Sequence, residues 1–91
     1  MDEASFRRHC REHGYDEPEL LERPAGLHNP EHSHDFDVVA LVLEGELTVT
    51  VADGRVCTCR GGDFFELEHG ARHSEQYGSA PTRALVGRRA A

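Results

Sequence analysis

From His32 onward the chain is broken by turn signals so closely spaced that an average helix does not fit between them. Glu44-Gly45-Glu46, Asp53-Gly54, Gly61-Gly62-Asp63 and His69-Gly70 follow one another at short intervals. Helices of ordinary length need about 11–12 residues, so the runs in between are strand-sized. Leu47, Val49 and Val51 alternate with Thr48 and Thr50, the pattern of a strand with one buried face. Asp53-Gly54 then suits a type I′ hairpin turn, which needs positive φ at both central residues. Before it, His32–Leu43 ends in a β-branched run; after it, Val56–Arg60, Phe64–Leu67, His73–Tyr77 and Thr82–Val86 read as further short strands. Strands this short and regular predict an all-β sandwich or small barrel.

The N-terminal third differs. Glu3–His13 predicts one short helix, with Asp2 or Ser5 as its cap, Phe6 and Cys10 on one face, and Gly14 just past its end. Its apolar stripe is narrow, so it holds only by packing on something else. Pro18 and Pro24 limit regular structure, leaving room for a short edge strand at Leu20–Arg23. The organisation expected is therefore a helix and edge segment over residues 1–25, packing on a barrel formed by residues 26–91.

At 91 residues one domain is expected, and a domain of this size buries only about 60–65% of the surface its unfolded chain exposes. Met1-Asp2-Glu3 opens with acid, and no apolar stretch approaches the ~20 residues that span a bilayer. With an odd count of three cysteines, these features predict a cytoplasmic protein with free thiols. The formal charge of −7 disfavours nucleic acid and anionic membrane as partners. Lysine is absent, and Arg83, Arg88 and Arg89 form a C-terminal basic cluster that reads as a fraying, solvated tail. Seven histidines are the distinctive feature of the composition, because histidine is the commonest metal ligand.

His32 and His34 are two residues apart, so in a strand they point the same way, about 7 Å from each other. Such a pair can chelate one metal ion at ~2.0–2.2 Å per bond. The segment Gly26-Leu-His-Asn-Pro-Glu-His32-Ser-His34, with Gly45 eleven positions on, resembles the first motif of the cupin family. Gly62-Asp-Phe-Phe-Glu-Leu-Glu-His-Gly70-Ala-Arg-His73 resembles the second. Together they cover about half the chain, with the Asp53-Gly54 hairpin between them.

The resemblance implies a small cupin-type β-barrel, a double-stranded β-helix or jelly roll, with His32, His34 and His73 as metal ligands. The glutamate that completes the family's ligand set falls on Val38, which shares the inward parity of His32 and His34 and predicts an apolar wall beside the ion. Asp37 is next to it, but a regular strand sends it to the opposite face, and only a bulge would bring it in. A three-histidine set leaves positions open to water or substrate and lacks one negative charge, so a bound anion can complete the coordination. One divalent transition metal is expected (Fe, Mn, Ni, Zn or Cu), since imidazole suits several of them.

Glu75 and Tyr77 alternate with His73 and so share its face, Glu75 as a candidate acid/base or fourth ligand and Tyr77 as a donor to substrate. His28, His69, His9 and His13 read as surface or supporting histidines. Cys57 and Cys59, on one face of a strand, read as small buried apolar residues, with metal ligation or a strained bridge as the alternatives. The opposite face of the main strand carries Val39, Leu41 and Leu43, which either the helix or a second subunit must cover; on that ground, and because cupins are often dimers, a homodimer is expected. The functional expectation is a metal-dependent enzyme, dioxygenase-, isomerase- or lyase-like, acting on a small polar organic molecule. A non-catalytic module that senses or binds a small-molecule ligand is the alternative, favoured by a pocket lined by Phe36, Val38 and Ala40 alone.

Overall fold

The computed structural model, which describes residues 1–91, turns each expected run into a strand. The elements are α1 (Glu3–Glu12), β1 (Glu19–Arg23), β2 (His28–His32), β3 (Phe36–Glu44), β4 (Glu46–Val51), β5 (Val56–Arg60), β6 (Phe64–Leu67), β7 (His73–Tyr77) and β8 (Thr82–Ala90). They form two four-stranded sheets, β1-β8-β3-β6 and β2-β7-β4-β5, paired antiparallel throughout. Strands β2 to β4 thus alternate between the sheets, and the chain winds as a jelly roll, the barrel that the sequence predicts.

Strand β3 shows how the two-layer plan becomes three layers. Val42 joins Leu47, Val49, Cys59, Leu67 and Tyr77 in a buried cluster between the sheets. Val39 and Leu41 point the other way and are buried against Phe6, Cys10, Tyr15 and Leu85. A strand covered on both faces has no polar alternation to keep, which is why its sequence is an unbroken apolar run. The cover on the outer face is α1, with Phe6 0% exposed. Asp2 caps the helix by accepting from the Ser5 N–H at 2.8 Å, and Gly14 leaves it with φ +76°. The helix, rather than a second subunit, therefore shields Val39 and Leu41. No helix is long and apolar enough to cross a membrane.

Two expectations change. Strand β8 does not end near Val86 but pairs with β3 as far as Ala90 opposite Phe36, so the C-terminal arginines are not a solvated tail. Arg89 lies directly opposite Asp37 in the ladder. Its Nε and Nη2 donate to Asp37 Oδ2 at 3.0 and 2.9 Å, its Nη1 donates to the His13 carbonyl at 2.7 Å, and its guanidinium lies 4.4 Å from the centre of the Tyr15 ring. Strand β2, in turn, lies where the sequence shows no alternation. It is an edge strand bonded only to β7, with an irregular register between Asn29 and His32, and this tolerates Pro30, which has no N–H to give.

Gly45 makes the tight reversal from β3 into β4 with φ +90°. A Cβ there would run into Thr82 Oγ1 and the Pro81 carbonyl. Thr82 cannot withdraw, because its Oγ1 accepts from the Glu46 N–H at 3.1 Å and donates to the Glu46 carbonyl at 3.2 Å. Gly45→Ala is expected to cost about 2–4 kcal/mol through strain and clash together. Thermal denaturation should show a midpoint lower by roughly 10 °C or more.

Candidate metal centre

The three histidines come from three places and meet at one mouth of the barrel. His32 ends β2, His34 sits in the corner before β3, and His73 opens β7. One ring nitrogen of each lies within 4.8 Å of the others. The ring centroids of His32 are 4.9 Å from His34 and 4.4 Å from His73, and those of His34 and His73 are 5.5 Å apart. His32 and His34 are not successive inward residues of one strand, as alternation suggests. Strand β2 ends at His32 and the bend falls at Asp35, so His34 lies outside both strands, with its ring centroid 4.9 Å from that of His32.

Hydrogen bonding fixes which nitrogens face inward. His32 Nδ1 is 2.7 Å from the Pro30 carbonyl, and His73 Nδ1 is 2.9 Å from the Ala71 carbonyl. A carbonyl only accepts, so both Nδ1 atoms donate and each Nε2 is the nitrogen left for a metal. Backbone carbonyls holding the far nitrogen are the usual support of a ligating imidazole. Burial, with the neighbouring His32 and His73, lowers the pKa of His34, which keeps that ring neutral and able to donate. The donor set fits a divalent transition metal: three imidazoles close enough to share one ion, two of them held by backbone carbonyls.

A cavity of about 500 Å³ opens from this cluster. Phe36, Val38 and Ala40 line it from β3, so Val38 supplies the apolar wall expected where the family has a carboxylate. Glu75 and Tyr77 line it as well, as their alternation with His73 predicts. Glu75 Oε1 is 3.7 Å from His32 Nε2, too long for a hydrogen bond, and accepts from Asn29 Nδ2 at 3.0 Å. Tyr77 is only 8% exposed, and burial, with the Glu75 charge next, raises its pKa, so the hydroxyl keeps its proton. Asp37 stays on the outer face, in the grip of Arg89 and His69, and is not brought to the histidines.

The other histidines are elsewhere. His28 meets Gln76 at 3.1 Å on the surface. His9 and His13 lie side by side at the C-terminal end of α1, their tilted rings 4.2 Å apart, and His69 turns outward to Asp37. Three residues that sequence reasoning passed over belong to the cavity: Asn29, Arg23 and Arg88. Asn29 had a signal, since it lies within the first histidine motif and pairs in register with Glu75. The arginines had none, because β1 and β8 reach the cavity only through long-range pairing.

The cupin domain family matches residues 20–86. The chain belongs to the cupin family. No curated protein matches the chain. Among solved structures it is similar to the DMSP lyase DddQ of Ruegeria pomeroyi, at 27% identity and a TM-score of 0.69, over 77% of this chain and 36% of that one. The cupin domain of Schizosaccharomyces pombe Cnp3 is similar at 20% identity and a TM-score of 0.70, over 79% and 53% respectively. Protein NMB1881 of Neisseria meningitidis is similar at 23% identity and 0.62, over 80% and 84%. The cupin thus spans about a third of the lyase chain.

The link between Asp37 and the turn before β7 should be visible in acid. Hydrogen bonds from the His69 side chain and N–H, then from Arg89, hold the Asp37 carboxyl well below its ordinary value. A group whose folded-state pKa is depressed contributes stability above its unfolded value, and that contribution is lost as pH falls through the folded value. Asp37→Asn should therefore be less stable than the parent at about pH 7, with the difference shrinking as pH falls below about 4. Urea midpoints across that range test this, and a constant difference would refute it.

Proposed function

We propose that this cupin is a small metal-dependent enzyme acting on a small organic anion, with dioxygenase, isomerase or lyase chemistry as the candidate reaction types. The observation that carries the reading is the convergence of three imidazoles, two of them oriented by backbone carbonyls, beside a cavity that also contains a carboxylate and a buried phenol. A divalent ion held by His32, His34 and His73 would supply Lewis-acid polarisation of a substrate oxygen. Glu75 Oε1 is engaged by Asn29, so Oε2 is the atom free to take up or return a proton. The protonated Tyr77 hydroxyl, which lines the cavity, would donate to the substrate. Arg23 and Arg88 bring positive charge to the cavity wall and favour an anionic substrate, while Phe36, Val38 and Ala40 exclude water around its apolar part. DddQ of R. pomeroyi is a DMSP lyase, which supports lyase action among the reaction types.

A ligand-sensing module without catalysis is the competing reading, and a purely apolar pocket would have favoured it. Glu75 and Tyr77 inside the cavity speak for chemistry instead. Any homodimer has to use a surface other than the outer face of β3, and exposed Leu20 and Val56 on two edge strands offer apolar area for it.

Protein purified without a metal-affinity tag should carry about one transition-metal ion per chain by elemental analysis, and His32→Ala with His34→Ala should lose it. Little metal in the parent, or metal retained by the double variant, would remove the site. In a screen of small carboxylic acids for turnover, Glu75→Gln should keep the metal and lower kcat by about 10²-fold or more. Binding of an acid without turnover in the parent would leave the sensing module as the function.

A further inference from the structure

We propose that Cys57 and Cys59 form a second chemical site, a dithiol that hydroperoxides oxidise to a disulfide within β5. The two Sγ atoms are 3.1 Å apart and both thiols are free. They lie opposite Val49 and Leu47 in the β4–β5 ladder and so face the same side of the sheet. Their environments differ. Cys59 is 1% exposed within the cluster between the sheets. Cys57 is exposed and lines a second cavity of about 320 Å³, with Val49, Val51 and Phe65 among its walls. Two cysteines serving only as small apolar residues would both be buried. One open thiol in contact with one closed thiol is instead the arrangement of an attacking and a resolving cysteine.

The division of labour follows from access. Burial, and the hydrogen bond it shares with Cys57, push the Cys59 thiol up to about 12, so Cys59 keeps its proton while Cys57 meets solvent. The Cys57 sulfur, as thiolate, attacks one oxygen of the hydroperoxide. The O–O bond breaks, the other oxygen leaves as an alcohol after taking a proton, and Cys57 becomes a sulfenic acid. The Cys59 sulfur then attacks the Cys57 sulfur; the S–S bond forms, the S–O bond breaks, and the oxygen leaves as water with the Cys59 proton. Two thiols give up two electrons and the O–O bond receives them, so one hydroperoxide yields one disulfide, one alcohol and one water.

The strand makes this bridge reversible. Residues i and i+2 of an extended strand have Cα atoms about 6.6 Å apart, near the upper end of the ~4.4–6.8 Å that a disulfide spans. β5 is an edge strand with β4 as its partner, so its backbone can pucker to close the bond. A disulfide strained in this way is readily reduced again.

Trypsin isolates the pair, because cleavage after Arg55 and Arg60 puts both cysteines in the peptide Val56–Arg60 and Cys10 in another. Fully reduced protein is treated with equimolar tert-butyl hydroperoxide, both as purified and after stripping with a chelator. Two of the three thiols should disappear together, the Val56–Arg60 peptide should become lighter by two hydrogens, and dithiothreitol should restore both. Cys59→Ser should leave a dimedone-reactive sulfenic acid on Cys57, and Cys57→Ser should react no faster than Cys10. The proposal fails if the parent reacts no faster than Cys10, forms disulfides between chains, stops at over-oxidised Cys57 without a bridge, or forms the bridge only before chelation.

Discussion

Two loops that are distant in sequence are clasped together at the mouth of the barrel, and the histidine cluster depends on that clasp. Asp37 accepts from the N–H of His69 at 2.8 Å, and the His34 carbonyl accepts from the N–H of Gly70 at 2.7 Å. These bonds tie the corner carrying His34 to the turn that leads into His73. Arg89 holds Asp37 from the other side and reaches on to the carbonyl of His13 at the end of α1. One carboxylate therefore connects the helix, both sheet-forming halves of the chain and the turn that delivers the third imidazole. Because it is a charge-assisted contact in a partly covered position, it is directional as well as attractive.

This arrangement explains how a barrel with such a small core can hold three rings in place. Two of the imidazoles are oriented by carbonyls of their own local chain, Pro30 for His32 and Ala71 for His73, so each of these is fixed within two residues of itself. The long-range part of the problem is only to bring the two local units together. Val38 then sets the character of the inner wall: it is apolar where the family pattern carries a carboxylate, and the carboxylate that lines the cavity is Glu75 on β7, steadied by Asn29 of β2.

Much of this was legible in the sequence, and the reasons are local. Strands β3 to β7 are bounded by glycine turns and carry alternating or doubly covered apolar patterns, and the helix has its cap, stripe and terminating glycine. The histidine triad was legible because two motifs fix its spacing. What escaped were features decided by pairing. Strand β2 is held at an edge by β7 and has no pattern of its own. The end of β8 is polar in sequence and is held in the sheet by its ladder with β3, which runs as far as Ala90 opposite Phe36. Arg23 and Arg88 reach the cavity for the same reason. His34 lies past the end of β2, so strand alternation alone does not set its distance from His32.

The position of β8 has a consequence for how the barrel assembles. It follows the other strands in chain order, yet it lies in the interior of its sheet, between β1 and β3, and is the only strand partner of β1. The β1–β8 ladder joins Glu19 to Val86 across most of the chain, a closure whose entropy must be spent before the contacts reward it. Until then β1 has no ladder and one edge of β3 lies open. Folding should therefore be slow for the chain's size, in the millisecond-to-second range of non-local β topologies. Its most aggregation-prone species would be a half-built sheet waiting for its central strand.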